Sequence, residues 1–457
     1  MRNKNHRLIY SGASPEKVEE DLQVLMDFQD DGITLKELNQ IIEDSLIPHL
    51  VQYDRPQFQS LYNFFPEKGA AFGAKIVLKY NQGVTNWQVS PGAVMVEELC
   101  CKAMCRLFGL SSDADATFMY CGTYANQQAL YLALHRKAEQ CGFNFTEKGI
   151  NGFKEPTRLV VLASNEAHFS LKHAVRMLGL GDHSLIPIPV DSNYRMNVQA
   201  LNETLQNIKE TKDVFCIVST AGITATGSID PIIPIIAACE ELNAWLHIDG
   251  AYGLAFSLLP EKKHLFNGLE RTDSVCWDPH KQFGVPIPNS LLFVRNKADF
   301  KRMAIYGHYF NREDDPEPNP GLKSPPSTRP FSALPLVTTI RYQGMKKIIE
   351  RLRKPVQAIQ TVAAELSNEP DIEVCHQPDT GLLCIRIIPA NFPEDRLDQL
   401  QRYVYERIKK EGKRFISMTR LGDKTALRLL AISPSVTSRA LMDTIVTTRR
   451  IANEYTR

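Results

Sequence analysis

Short apolar, β-branched runs alternate with amphipathic helical stretches through the middle of the chain, and this alternation limits the fold more than any other feature. Runs 158–164 (RLVVLAS), 214–220 (VFCIVST), 245–250 (WLHIDG) and 289–295 (NSLLFVR) are rich in strand-forming residues and bounded by polar ones. Strands apolar on both faces must be covered on both faces, which is the condition of a mainly parallel sheet between helices. Stretches 197–210 and 231–242 supply helical periodicity between the runs. The reading is an α/β domain, whose ligands collect in loops at the carboxyl ends of the strands.

The flanks read differently. Val18, Leu22, Leu25 and Met26, then Leu35, Leu38, Ile41 and Ile42, recur at helical spacing and predict two amphipathic helices within 15–50. Stretch 53–73 is irregular and rich in Phe, Tyr and Pro; it cannot form a compact body alone and is expected to lie across another, a partner subunit included. A long helix is expected from Ser90-Pro91 towards Gly109, with Val94, Val96, Leu99, Met104 and Leu107 as its apolar face. Segment 311–330 holds six prolines without apolar periodicity, the mark of a linker or an active-site lid. Beyond it, 334–367 reads as helical, and the rest as a smaller α/β unit. The expected organisation is a helical and extended segment over 1–85, a large domain over 86–333, and a small domain with its linking helix over 334–457.

Charge and composition exclude several functions. Among 457 residues, 53 Lys and Arg face 52 Asp and Glu, so no overall basic field favours nucleic acid or anionic membrane. No apolar run reaches the ~18–20 residues of a membrane span. The N-terminus lacks the apolar core of a secretory signal, and ten cysteines are then expected to stay reduced in a cytoplasm. Gly-x-Ser-x-Gly, Walker and His-Glu-x-x-His patterns are absent. Cys100, Cys101 and Cys105 have no nearby His, and His168 and His173, five apart, do not share a helix face, so no metal is expected.

Chemistry concentrates in Trp277-Asp278-Pro279-His280-Lys281, set between apolar SVCW and FGVPIP. A lysine among apolar neighbours can have a lowered pKa and act as a Schiff-base nucleophile. Asp249 ends a strand pattern, where a carboxylate can face a ligand. Pyridoxal phosphate (PLP) requires such a pair, a lysine for its aldehyde and an acid for its ring nitrogen.

WLHIDGAYG followed by SVCWDPHKQFGVP resembles the signature of the group II PLP-dependent amino acid decarboxylases, which include glutamate, aromatic amino acid, histidine and diaminobutyrate enzymes. The similarity runs in order from about 50 to 440. RPQFQSLYNF (55–64) is similar to the family's His-Pro-x-Phe-Phe segment, with Arg55 for His. TNWQVSPGAVMVEE (85–98), FMYCGTYANQQAL (118–130), SNEAHFSLKHA (164–174), STAGITATGSIDPI (219–232) and ALRLLAISP follow. The resemblance implies a fold-type I PLP enzyme with a mainly parallel seven-stranded sheet, PLP as cofactor, and a homodimer with its active site at the interface.

Roles are implied residue by residue. Lys281 resembles the Schiff-base lysine, Asp249 the partner of the pyridine nitrogen, Ala251 the small residue on one ring face and His168 the imidazole on the other. Thr224 resembles a hydroxyl at the ring substituents. Cys121, Gly122 and Thr123 occupy the phosphate loop, His280 a further phosphate contact, and Arg428 the arginine that binds the substrate carboxylate. Cys121 and Gly250 depart from the usual small residue and Ala, and Pro330 from the second Arg of Arg-Arg-Phe. The family's loop tyrosine, which re-protonates Cα, has no counterpart in 311–330; Tyr306, His308 and Tyr309 lie at its root, and Tyr309 is taken as the donor, with His168 or a residue of the other subunit as the alternatives. The implied activity is α-decarboxylation of an L-amino acid to CO₂ and an amine. An aldehyde-forming decarboxylase or lyase, and a catalytically silent binding or assembly homologue, are the alternatives. Segment 57–64, which would line the pocket, has no basic residue, which disfavours an acidic side chain on the substrate.

Overall fold

The computed structural model describes residues 8–307 and 311–456. Two compact units are formed, one from 64–353 with 378–380, the other from residues up to 63, 354–377 and 381 onward. These divisions fall at 63/64 and 353/354, where the sequence had suggested 85/86 and 333/334. The second division lies inside helix Met345–Leu366.

Twelve strands are present among the described residues: β1 (Phe58–Gln59), β2 (Asp115–Met119), β3 (Leu159–Ser164), β4 (Leu185–Ile188), β5 (Asp213–Thr220), β6 (Trp245–Asp249), β7 (Ser274–Trp277), β8 (Ser290–Val294), β9 (Ile372–Val374), β10 (Leu382–Ile387), β11 (Phe415–Leu421) and β12 (Lys424–Leu430). The larger unit holds a seven-stranded sheet in the order β2-β8-β7-β6-β5-β3-β4. From β4 through β7 all neighbours are parallel, while β8 runs antiparallel to both β7 and β2. β3, β5, β6, β7 and β8 are buried almost throughout, as expected for strands covered on both faces. Helix Gly122–Gln140 packs on β2 and on β5 to β8, and its Ala125, Ala129, Leu130, Leu132, Ala133 and Leu134 enter the main core.

The parallel strands bring the ends of β5, β6 and β7 to one edge of the sheet, and backbone bonds tie the following loops together. Ala221 N donates to Asp249 O at 2.9 Å, and Asp278 N to Ala251 O at 3.1 Å. Helices Lys68–Tyr80 and Ala333–Gln343 pack against each other in the same unit. A Cβ at Gly69 would stand 2.7 Å from Thr338 O, and one at Gly73 would overlap Thr338 Oγ1, so these glycines permit the close approach.

The smaller unit carries the sheet β1-β11-β12-β10-β9, parallel at β1/β11 and antiparallel elsewhere. Helices Leu397–Glu411 and Ser438–Thr456 cover it. Within the irregular stretch 53–73, 58–59 lies across another body as expected, as an edge strand of this chain's own small sheet, whereas 68 onward departs from the irregular reading and is helical. The helices expected from Ser90-Pro91, at 197–210 and 231–242 are found as Pro91–Leu107, Val198–Ile208 and Ile232–Leu242. The 334–367 stretch is two helices broken at Gly344.

The proline-rich segment also departs from a lid over its whole length. Lys323 pairs with Glu98 at 2.8 Å and Asp115 at 2.7 Å, and its carbonyl accepts from Gln128 Nε2. Arg329 is buried, pairs with Glu97 and donates to Val84 O at 3.0 Å. Residues 320–330 are thus tethered; in the rest of the segment, 312–314, 316 and 317 are exposed.

Candidate active site

The β6 sequence alternates Trp245, His247 and Asp249, and period-two alternation puts these three on one face of the sheet. β7 continues the row with Ser274 opposite His247 and Cys276 opposite Asp249. Asp249 ends its strand almost completely buried. Its Oδ2 accepts from Asn126 Nδ2 at 2.8 Å, and its Oδ1 from Ala251 N at 3.2 Å and Cys276 Sγ at 3.3 Å. Burial pushes the carboxyl pKa up, but in the acid range where a carboxyl titrates the protonated His168 and His247, with Lys281 and the Asn126 hydrogen bond, outweigh it and hold the group below its ordinary value.

The turn after β6 is shaped by close packing. A Cβ at Gly250 would stand 2.9 Å from both the Cys276 carbonyl and Leu254 Cβ, so the glycine that replaces the family's usual alanine is required here. Ala251 faces Gly122 at the start of helix Gly122–Gln140, where an added Cβ would meet Ala251 Cβ and the Asp278 carboxylate at 3.1 Å. Cys121 precedes that helix without a side-chain cap, leaving the helix-start N–H groups to a ligand.

Lys281 is not isolated among apolar groups, as its sequence neighbours suggested. Its Nζ lies 3.1 Å from Asp278 Oδ2, whose other oxygen accepts from Ser290 Oγ at 2.6 Å. His280 donates through Nδ1 to Asn289 O at 2.6 Å, with Nε2 3.8 Å from Asp278. Burial lowers the pKa of His280, and also that of His168, on which the charges of Asp249 and Asp278 pull the other way. His168 sits in the turn between β3 and helix Ser170–Met177, its ring 4.0 Å from that of Phe169.

Cys121, Gly122, Thr123, His168, Asp249, Ala251, His280 and Lys281 thus gather around the carboxyl ends of β2, β3, β6 and β7. Thr224 is exposed on the turn after β5, which packs through Gly222 against Tyr252 and Gly253. Arg428 belongs to the smaller unit. It is buried on β12 and donates to Ser60 O at 2.9 Å, Ser417 Oγ at 2.9 Å and Tyr62 OH at 2.8 Å, so it meets the 55–64 segment named in the sequence. Tyr309 lies outside the described residues. Asn126, His247, Cys276 and the pairing role of Asp278 escaped the sequence reading; the Trp245-His247-Asp249 alternation was the available signal for His247.

The site fits PLP on its own chemistry. A carboxylate offers about four lone-pair positions. Asp249 accepts from Asn126 and Ala251, shares the single Cys276 thiol proton with Asn126 Oδ1 at 3.2 Å, holds its charge in a buried setting, and has a position left for a ring N–H. Gly122 opens a cradle that a side chain would fill. The sheet order, the lysine–aspartate constellation and the uncapped helix start define a fold-type I PLP enzyme.

The model of the pyridoxal-dependent decarboxylase conserved domain matches residues 15–388. L-2,4-Diaminobutyrate decarboxylase of Acinetobacter baumannii is 28% identical over 371 residues, covering 78% of this chain and 72% of that protein. The enzyme of the same name from Rhizobium meliloti is 31% identical over 329 residues, covering 71% of this chain and 63% of its own length. Among solved structures, the glutamate decarboxylase domain of diaminobutyrate-pyruvate transaminase and L-2,4-diaminobutyrate decarboxylase from Vibrio parahaemolyticus superposes with a TM-score of 0.87 at 24% identity, over 98% of this chain and 91% of that one. The chain belongs to the pyridoxal-dependent decarboxylase family. Its activity is PLP-dependent amino acid decarboxylation.

Proposed function

We propose that the enzyme removes the α-carboxylate of an L-amino acid with a non-acidic side chain, as a cytoplasmic homodimer, with Lys281 as the residue that carries the cofactor. The observation that carries this is the buried, ionised Asp249 in the same loop cluster as the Asp278-paired Lys281. PLP, when bound, supplies an aldehyde for the substrate amine and a ring that accepts the electrons of the broken Cα–carboxylate bond. Lys281 would provide the anchoring amine, held at the cluster by Asp278. Asp249 would keep a proton at the ring nitrogen. The N–H groups at 122 and 123, with Cys121 and His280, would bind the phosphate, while Ala251 and His168 would flank the ring and Thr224 would contact its substituents. His168, kept neutral by burial, can pass a proton at its imidazole; Tyr309 is retained as the donor to Cα, and Arg428 as the ligand of the substrate carboxylate.

The absence of basic residues from 57–64 supports a non-acidic side chain, and the two diaminobutyrate decarboxylases make diamino acids the first to test. Exposed Phe169, Met177 and Ile305 support a dimer, together with an apolar cleft of about 840 Å³ that includes Tyr124, Met177 and Ile305. Ten cysteines without a disulfide support a reducing compartment. The test is CO₂ release from a panel of amino and diamino acids, with amine, aldehyde and peroxide measured as products. Amine formation lost in Lys281→Ala is expected; aldehyde as main product overturns the reading. Light scattering that finds an active monomer overturns the dimer.

A further inference from the structure

Beyond the residues assigned above, a line of five side chains runs from one end of β6 to the other, and its hydrogen bonds can be oriented unambiguously. Trp245 Nε1 lies 2.7 Å from Ser274 Oγ, which lies 2.8 Å from His247 Nδ1. His247 Nε2 lies 2.9 Å from Asn126 Oδ1, and Asn126 Nδ2 lies 2.8 Å from Asp249 Oδ2. An indole nitrogen only donates, and a carboxylate only accepts. Asp249 therefore fixes the Asn126 amide with its NH₂ towards the carboxylate and its oxygen towards His247. That oxygen requires a proton on His247 Nε2. His247 is completely buried, and burial pushes its pKa down to about 4 although the Asp249 charge pulls it up. The ring is thus neutral, its Nδ1 is bare, and the Ser274 hydroxyl donates to it while accepting from Trp245. Every link points the same way.

We propose that Trp245, Ser274, His247 and Asn126 are positioning residues forming a one-way donor relay that ends on Asp249, and that the relay sets how strongly this carboxylate engages the cofactor's ring nitrogen. The physical reason is that aligned hydrogen bonds polarise one another and gain strength in a low-dielectric interior. Each donor added behind Asn126 makes its N–H a better partner for the carboxylate charge. The relay stabilises the ionised acid without placing a second full charge beside it, so the acid stays available to a cationic N–H. Arg136, stacked 4.6 Å from the Trp245 ring and paired with Asp273 at 2.8 Å, anchors the far end. The inference rests on the reading of Asp249 as partner of the ring nitrogen.

The test compares the dissociation constants of the apoenzyme for PLP and for its 1-deaza analogue, in which a C–H replaces the ring nitrogen. Wild type is expected to prefer PLP. Equal affinities in wild type would remove the ring-nitrogen role of Asp249 itself, and the relay with it. Given a wild-type preference, Ser274→Ala should reduce it about twofold, since each aligned bond strengthens the next by roughly 10–30%, and Ser274→Thr, which keeps the hydroxyl, should restore it. A variant that weakens both ligands equally, leaving their ratio unchanged, overturns the relay and leaves only a structural role. Should Ser274→Ala fail to fold, Trp245→Phe decides: it removes only the first N–H, and an unchanged ratio there overturns the proposal.

Discussion

Lys323→Met tests whether charge pairing tethers the proline-rich segment. The ammonium is buried between Glu98 at 2.8 Å and Asp115 at 2.7 Å, with side chains only 15%, 11% and 13% exposed respectively. Burial opposes its charge, yet the two carboxylates raise its pKa. Removing one partner of a buried ion pair costs roughly 3–5 kcal/mol, because the remaining charges stay desolvated. For the larger unit of roughly 290 residues, about 2.1 cal/mol/K of unfolding entropy per residue gives about 0.6 kcal/mol per degree. A loss near 4 kcal/mol then lowers the melting temperature by about 7 °C. Calorimetry of the apoenzyme reads that shift, and limited digestion with a broad-specificity protease reads the segment, which should become cleavable within 320–330. Adding Glu98→Gln and Asp115→Asn should recover most of the loss, since no unpaired charge then remains. A melting shift under about 1 °C with an uncut segment would refute the tether.

Other outcomes follow from the same geometry. Asp249→Asn should lower turnover by orders of magnitude while PLP still binds through its phosphate; near-normal turnover in steady-state assays removes the electron-sink role. Gly250→Ala should destabilise the larger unit by about 1–3 kcal/mol through overpacking against Cys276 O and Leu254 Cβ, read as a shifted denaturant midpoint. His247 has its folded pKa lowered to about 4 from an ordinary 6.5, so its contribution is complete above pH 6.5 and is lost as pH falls towards 4. Apoenzyme unfolding should therefore lose roughly 3 kcal/mol across that window, and His247→Gln should lack that part of the slope. Arg428→Lys should raise KM more than it lowers kcat, because a lysine cannot reproduce the guanidinium's bonds to Ser60, Ser417 and Tyr62.

The sequence by itself determined the α/β class, the strands at 159–164, 213–220, 245–249 and 290–294, the family resemblance, and the lysine and aspartate of the site. These are legible because burial on both faces leaves continuous apolar runs and because the candidate lysine and aspartate each sit in a local motif. Strands β4 and β7, four residues each, and the edge strand β1 were not recognisable, since so short a run carries little periodicity. Only tertiary structure decided what surrounds the reactive groups. Sequence neighbours set Lys281 between apolar runs, and the structure adds Asp278 Oδ2 at 3.1 Å from its Nζ, a geometry that sequence distance alone does not fix. Asn126 precedes Asp249 by more than a hundred residues, and parallel strand order brings them together. Likewise the sequence showed only that Gly250 departs from the usual Ala; the reason is the Cys276 carbonyl, 2.9 Å from where a methyl group would be. Periodicity reports which face is buried; the partners that orient a charge inside that face come from the register of non-neighbouring segments.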